Sequence, residues 1–167
     1  MTIRTPRIDL DIKVDDDFIV GIKQAEGESS ATVTELESEI AKQFTSYFAG
    51  ELKEFDVEYH LNGSNLQLAT WAALARVPYS KTISYTGLAL LAGYPKAIRA
   101  VATAVRQNPV PVIIPCHRVV RKDGELGNYS LGGPEVKRYL LDLEQKWFTP
   151  RAERQKFKWN GEFEKIK

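Results

Sequence analysis

Ser84-Tyr85-Thr86-Gly87-Leu88-Ala89-Leu90-Leu91-Ala92-Gly93-Tyr94-Pro95-Lys96-Ala97-Ile98-Arg99-Ala100-Val101-Ala102-Thr103-Ala104-Val105-Arg106 is the stretch on which the reading of the fold turns. Ser84 can cap a short helix over 85–92. Ala92-Gly93-Tyr94 then reads as a tight turn, and Pro95 stands at the first position of a second helix that runs to about Gln107. Two short helices joined by a three-residue turn containing Gly form a helix-turn-helix signature. Helix pairs of this kind also occur in ordinary cores, so the pattern leaves both DNA binding and packing open. The second helix carries small side chains at Ala97, Ala100 and Ala104 and cations at Lys96, Arg99 and Arg106. A groove-binding helix needs slimness and positive charge together. An Ala-rich packing helix with solvated Arg residues fits the same pattern.

Upstream, Ser64 and Gln67 make a capping-box pattern. Leu68, Trp71 and Leu74 supply a buried helical stripe that Val77-Pro78 terminates. Asn62-Gly63 marks a turn before it. The preceding residues read as a separate unit. Residues 7–13 alternate polar and apolar as a half-buried strand, and Asp17 to Gln24 is its partner across the acidic turn Asp15-Asp16-Asp17. Residues 25–31 form a loop by composition. From about Thr34 a helix stacks Leu36, Ile40, Phe44 and Phe48 and stops at Gly50. Glu54 to Leu61 returns to strand-like alternation.

Downstream of Asn108-Pro109, the apolar run Val110-Pro111-Val112-Ile113-Ile114 leads to Pro115-Cys116-His117-Arg118. A lone cysteine after an apolar segment is commonly a small buried hydrophobe. A reactive thiol needs a base, cations or a helix N-terminus nearby, and His117, Arg118 and Arg121 are all close in sequence. In an extended strand residues 116 and 117 point to opposite faces, so contact between them requires a bend or a bridging water. Gly127 to Gly133 reads as a flexible polar loop, after which Pro134 opens a helix to about Trp147. Val136, Tyr139, Leu140, Leu143 and Trp147 form its buried stripe. Glu144 lies beside that stripe, where a carboxylate requires a partner such as an imidazole.

The 167 residues, 43% of them hydrophobic, suffice for a core in one domain or two small ones. The net charge of +1 conceals an asymmetry: residues 1–70 carry 6 Lys and Arg against 14 Asp and Glu, residues 71–167 carry 17 against 8. Either the basic half meets nucleic acid or the two halves attract each other. One cysteine precludes an internal disulfide and points to a reducing, cytoplasmic setting. One Cys and two His cannot make a four-ligand zinc site, so no metal is expected. No apolar run spans a bilayer, the N-terminus lacks a signal-peptide pattern, and no phosphate-loop spacing occurs. Neither a membrane nor a nucleotide cofactor is therefore expected.

Ile114-Pro115-Cys116-His117-Arg118-Val119, in register with Ser84-Tyr85, Arg99-Ala100-Val101 and Asn108-Pro109, resembles the O6-alkylguanine-DNA alkyltransferases, also called methylated-DNA–protein-cysteine methyltransferases. The resemblance covers about residues 64 to 147. It implies an α+β fold: a small acidic α/β unit of ribonuclease H-like type over 1–61, a mainly helical unit with the helix-turn-helix over 62–149, and a basic tail over 150–167. It further implies DNA repair by one irreversible transfer of an alkyl group from O6-alkylguanine in double-stranded DNA to Cys116, by a monomer without cofactor. Within it, Arg99 fills the gap left by a flipped nucleotide while Lys96, Ala97 and Ala100 meet the minor groove. His117 takes the Cys116 proton through water and Glu144 orients it. Tyr85 protonates the leaving guanine, Asn108 ties the helix-turn-helix to the active loop, and Val119, Tyr129 and Ser130 line the base pocket.

The chain departs from the common family pattern at three places. Ala102 and Ser80 stand where Gly is usual, and Ser130-Leu131-Gly132-Gly133 is one residue longer than in relatives with Ser directly before Gly-Gly. The N-terminal cysteines with which some relatives bind zinc are absent. Three other classes compete with the enzyme reading. A non-catalytic alkyltransferase-like lesion binder lacks the cysteine that this chain retains. A sequence-reading helix-turn-helix regulator has no use for Cys116, and a cysteine hydrolase regenerates its thiol.

Overall fold

Residues 1–27 and 34–148 are described by the structure, a computed structural model. Alternation of Leu10 and Ile12 with Asp11 and Lys13 produces strand β2 (Leu10–Asp15), whose apolar side chains face the core. A two-residue Asp16-Asp17 turn, with Asp16 at φ 52°, returns the chain as β3 (Phe18–Gln24). A short β1 (Thr2–Ile3), not anticipated from the sequence, pairs on the far side of β2 and completes an antiparallel sheet of order β1-β2-β3. The strand expected from residue 7 starts only at Leu10. Pro6 interrupts the extended chain, and the Thr5 hydroxyl accepts from the Ile8 N–H at 3.2 Å, turning that backbone away from the ladder.

Helix α1 (Glu35–Phe48) begins at a reciprocal cap: Thr34 Oγ1 accepts from Glu37 N–H and Glu37 accepts from Thr34 N–H. It ends where Gly50 turns left-handed at φ 80°. Glu54 to Leu61 keeps its alternating burial but not a strand ladder; Tyr59 bridges Ile19 and no named strand forms. Gln43 replaces the missing neighbour, because its side-chain amide both donates to Asp56 O and accepts from Asp56 N–H. The Phe55 ring packs on Phe44 at 4.9 Å and on Tyr47 at 5.3 Å.

Helices α2 (Asn65–Ala75), α3 (Tyr85–Ala92) and α4 (Ile98–Arg106) pack on one another. Ser64 caps α2 in the expected box with Gln67, and Ser84 caps α3. Leu68 is 39% exposed, so the buried stripe of α2 is Thr70, Trp71, Ala73 and Leu74 instead. Trp71 Nε1 donates to Ala104 O at 2.8 Å and binds α2 to α4.

Gly93 ends α3 at φ 84°. Pro95 does not open α4, as its sequence position suggests. Ala97 N–H donates to Tyr94 O, closing a turn over 94–97 in which Pro95 holds the position that favours proline. The helix therefore begins at Ile98 with Ala97 as its cap.

Ile83–Ser84 (β4) and Val119–Val120 (β5) form a two-residue parallel pair. Helix α5 (Gly133–Phe148) closes the molecule with Val136, Leu140 and Leu143 in the core. Its entry needs two left-handed glycines. A Cβ on Gly132 would lie 2.6 Å from Val136 Cγ2 and 2.9 Å from Ile8 Cδ1. Buried apolar residues run without interruption from Leu10, Ile19 and Phe44 through Leu74, Leu88 and Val101 to Leu140. No helix among the described residues is long and apolar enough to cross a membrane. The tail expected over 150–167, and part of the loop expected over 25–31, lie outside the described residues.

Candidate active site

Residues 110–114 do not run straight into the core. Pro111 and Ile114 bridge each other across a tight turn that puts Val112 at φ 74°. A β-branched residue in that region costs on the order of 1–3 kcal/mol. Asn108 holds the turn closed: its Nδ2 donates to Ile114 O at 2.8 Å, and its Oδ1 accepts from Val110 N–H at 3.0 Å. Asn108 stands two residues past the end of α4, and its backbone N–H donates to Val105 O. The backbone of Asn108 is thus held to the end of α4 while its side chain closes the turn that leads to Cys116.

Cys116 opens a 3-10 turn, Cys116–Arg118, and all three residues are buried. The extended chain that would set residues 116 and 117 on opposite faces is absent; at about three residues per turn, successive side chains of this coil diverge by about 120° instead. The β4–β5 pair then aligns Ile83 with Val119, bringing the start of α3 beside the turn. Val119 is fully buried and its N–H donates to Cys116 O.

Glu144 on α5 is 0% exposed and accepts five hydrogen bonds. His117 Nε2 lies 2.6 Å from Oε2, and the Tyr47 hydroxyl donates to the same oxygen at 2.6 Å. Arg118 donates through Nε to Oε1 at 2.8 Å and through Nη2 to Oε2 at 3.1 Å. Ser80 N–H donates to Oε1 at 3.1 Å. Ser80 holds φ 64°, the left-handed region that glycine favours, at one of the positions where the family resemblance leads to the expectation of Gly. Arg118 also donates to Val77 O at 2.6 Å and lies over the Tyr79 ring. Its charge therefore serves Glu144, although its sequence position had made it a candidate cation for Cys116.

These contacts decide the protonation states. Burial pushes the Glu144 carboxyl up, but the His117 and Arg118 charges and hydrogen bonds outweigh it and hold the group well below the usual carboxylate range. Burial lowers His117, and the attraction of Glu144 only partly restores it, so the imidazole is neutral at physiological pH. An ionised Glu144 can only accept, which places the single ring proton on Nε2. Nδ1 is consequently an unprotonated acceptor, buried and with no protein hydrogen-bond partner among the described residues. Burial raises Cys116 to about 11, opposed by the Asn108 hydrogen bond and then the Lys137 charge. The resting side chain is a thiol beside an unprotonated imidazole.

Lys137 was not anticipated as part of the site. It is 1% exposed, donates to Leu126 O, and is lowered by burial to about 8, with Cys116 pulling it up. Its signal in the sequence was available: Lys137, Leu140 and Glu144 stand three and four residues apart on one helical face.

Tyr85, Arg121 and Gly127 meet at the edge of the site. A Cβ on Gly127, at φ 72°, would stand 3.5 Å from Tyr85 Oη and 3.8 Å from Arg121 Nε. Tyr129 is buried and its hydroxyl has no hydrogen-bond partner among the described residues, whereas Ser130 is exposed and Leu131 turns inward. On the helix-turn-helix, Lys96, Arg99 and Ala100 are exposed and Ala97 is half-buried. Ala104 is buried under Trp71 and does not belong to that surface. No cluster of three metal-ligating side chains occurs among the described residues.

The depressed Glu144 and His117 values fix the acid behaviour of the fold. The unfolded chain takes up protons near the ordinary His value of 6.5 and carboxylate value of 4.5, while the folded state resists. Urea midpoints are therefore expected to fall as the pH drops below 6.5, and again below 4.5. His117→Gln should lose the upper step and Glu144→Gln the lower. A wild-type midpoint constant from pH 7 to pH 4 would contradict these assignments.

Comparison with known proteins fits this geometry. The family model described as the DNA-binding domain of 6-O-methylguanine DNA methyltransferase matches residues 65–146. The methylated-DNA–protein-cysteine methyltransferase of Methanosarcina acetivorans is 41% identical over 128 residues, 76% of this chain and 81% of that protein. Its counterpart in Mycobacterium tuberculosis is 48% identical over 103 residues, 62% of each chain. The crystal structure of Mycobacterium tuberculosis OGT in complex with DNA matches with a TM-score of 0.79 at 36% identity, covering 93% of this chain and 98% of that one. The α+β architecture, the buried Cys116–His117–Glu144 neighbourhood and these likenesses make the chain a member of the methylated-DNA–protein-cysteine methyltransferase family.

Proposed function

We propose that this protein repairs DNA directly, by moving a methyl or other alkyl group from O6 of a modified guanine onto Cys116 Sγ. The observation that carries the reading is the buried, unprotonated Nδ1 of a neutral His117 that follows a buried thiol in the same 3-10 turn. The acidic unit 1–61 serves as support, and residues 62–149 bind DNA and carry the reaction. The chain acts as a cytoplasmic monomer, with neither metal nor cofactor.

The exposed face of α4 enters the minor groove, where Ala97 and Ala100 allow close approach and Lys96 meets phosphate. Arg99 occupies the space of the extruded nucleotide. Extrusion is required because a thiol cannot reach O6 within the base stack. The flipped base sits against Val119, Tyr129 and the Ser130 backbone.

His117 Nδ1 receives the Cys116 proton through a bridging water, and Glu144 stabilises the imidazolium that forms. The thiolate attacks the alkyl carbon; the S–C bond forms as the C–O6 bond breaks. Guanine leaves with the electron pair, and Tyr85 donates a proton toward N3 so that neutral guanine results. Solvent later returns to Tyr85 the equivalent of the proton held by His117. Lys137, lowered to about 8 and so still protonated at neutral pH, contributes positive charge toward the developing thiolate. The thioether has no leaving path back to a thiol, so each molecule reacts once.

Incubation with duplex DNA containing O6-methylguanine should add the mass of one methylene to the protein, located on Cys116 and absent from Cys116→Ala. An unmodified Cys116 in a protein that binds the lesion would overturn the reading. Arg99→Ala should slow repair of the duplex at least tenfold more than reaction with a free O6-alkylguanine base. Equal losses on both substrates would remove Arg99 from the flipping step.

A further inference from the structure

One of the five donors on Glu144 comes from outside the helical unit. Tyr47 stands in the last turn of α1, 97 residues before its acceptor. It is 1% exposed, and its ring is pinned edge-on against Phe48 at 5.3 Å and against Tyr79 at 6.3 Å. With the ring fixed in this way, the hydroxyl is delivered to Glu144 Oε2 at 2.6 Å, the same separation at which His117 Nε2 meets that oxygen.

We infer that Tyr47 is a positioning residue for the alkyl-transfer reaction: by sharing Oε2 with His117, its hydroxyl sets how strongly Glu144 holds the imidazole proton. The inference rests on the reading of His117 as the base for Cys116. A carboxylate oxygen that already accepts from a phenol has less electron density for a second donor. Glu144 therefore orients His117 without drawing a proton onto Nδ1 from solvent, and Nδ1 stays bare until the thiol gives up its own proton.

The charged and titratable groups facing this carboxylate are Tyr47 from α1, Tyr79 from the segment before β4, His117 and Arg118 from the 3-10 turn, and Tyr129 from the loop before α5. Lys137 acts on His117 from within α5. Arg118 supplies the compensating charge, and Ser80 N–H supplies a neutral donor to Oε1. Tyr47 alone joins the carboxylate to the N-terminal helix. Burial, and then the Glu144 charge, keep its phenol protonated and so always the donor.

The test is the pH dependence of single-turnover methyl transfer from an O6-methylguanine oligonucleotide at saturating DNA, read by intact mass. Tyr47→Phe keeps the ring and removes the donor. The acid limb, below which His117 is protonated and inactive, should move up by roughly half to one pH unit. The variant should then be within about twofold of wild type at pH 8 but about 3–10-fold slower near the acid limb. A fluorotyrosine placed at 47, a stronger donor that preserves the packing, should move the limb the other way. An unchanged limb in both proteins would overturn the inference, as would a uniform loss at all pH values, which is the signature of a merely structural contact. Methylation of wild-type Cys116 with an unmoved limb rejects the inference alone; absence of methylation in the wild type rejects the underlying reading as well.

Discussion

Burying a carboxylate completely is costly, because the interior offers no water to replace its hydration shell. Glu144 meets that cost by collecting five hydrogen bonds from four residues in three separate parts of the chain: Tyr47 of α1, Ser80 of the segment before β4, and His117 and Arg118 of the 3-10 turn. Arg118 neutralises it, and that neutralisation makes room for an uncharged imidazole at His117. Removing Arg118 would leave an unpaired buried charge, at a cost of about 3–5 kcal/mol. The tautomer of His117 follows from the same constraint, since an ionised carboxylate has no proton to give.

The remaining architecture delivers a nucleophile and a recognition surface to this centre. Asn108 closes the strained turn at Val112 with its side-chain amide and meets the end of α4 with its backbone N–H. The two-residue β4–β5 pair places the first turn of α3 beside Cys116. A displacement of α4 is therefore transmitted through Asn108 to the backbone that carries the thiol. Strain held at Val112 and Ser80 lies at the two backbone segments that touch Cys116 and Glu144, where a fixed geometry matters most.

Local chemistry was legible wherever neighbours in sequence are neighbours in space. The Ser64–Gln67 box, the Ser84 cap, the Gly93 stop and the Pro134 helix start all stand as the sequence indicates, because each is settled within one turn of backbone. The Pro-Cys-His-Arg string marked the proposed nucleophile, Cys116. Its geometry was not legible: alternation assumes a strand, whereas the chain coils into a 3-10 turn. Pro95 was ambiguous for a similar reason, since proline suits both a helix start and the second position of a turn. Glu54 to Leu61 has strand alternation, yet only Tyr59 bridges a strand, at Ile19, while the Gln43 side chain takes the backbone bonds of Asp56. Contacts spanning long stretches of chain, Tyr47 to Glu144 above all, have no local signature. Lys137 hid in plain view, because a lysine beside an apolar stripe ordinarily extends to solvent.

The proposed role of His117 requires a neutral imidazole with its proton on Nε2, toward Glu144, and an unprotonated Nδ1. Nitrogen-15 spectra of histidine-labelled protein, with His60→Gln to assign the second ring, measure this directly. Between pH 6.5 and 8 the account predicts a protonated Nε2 and an unprotonated Nδ1 for His117, and no titration over that range. A proton on Nδ1, or an imidazolium at neutral pH, would contradict it.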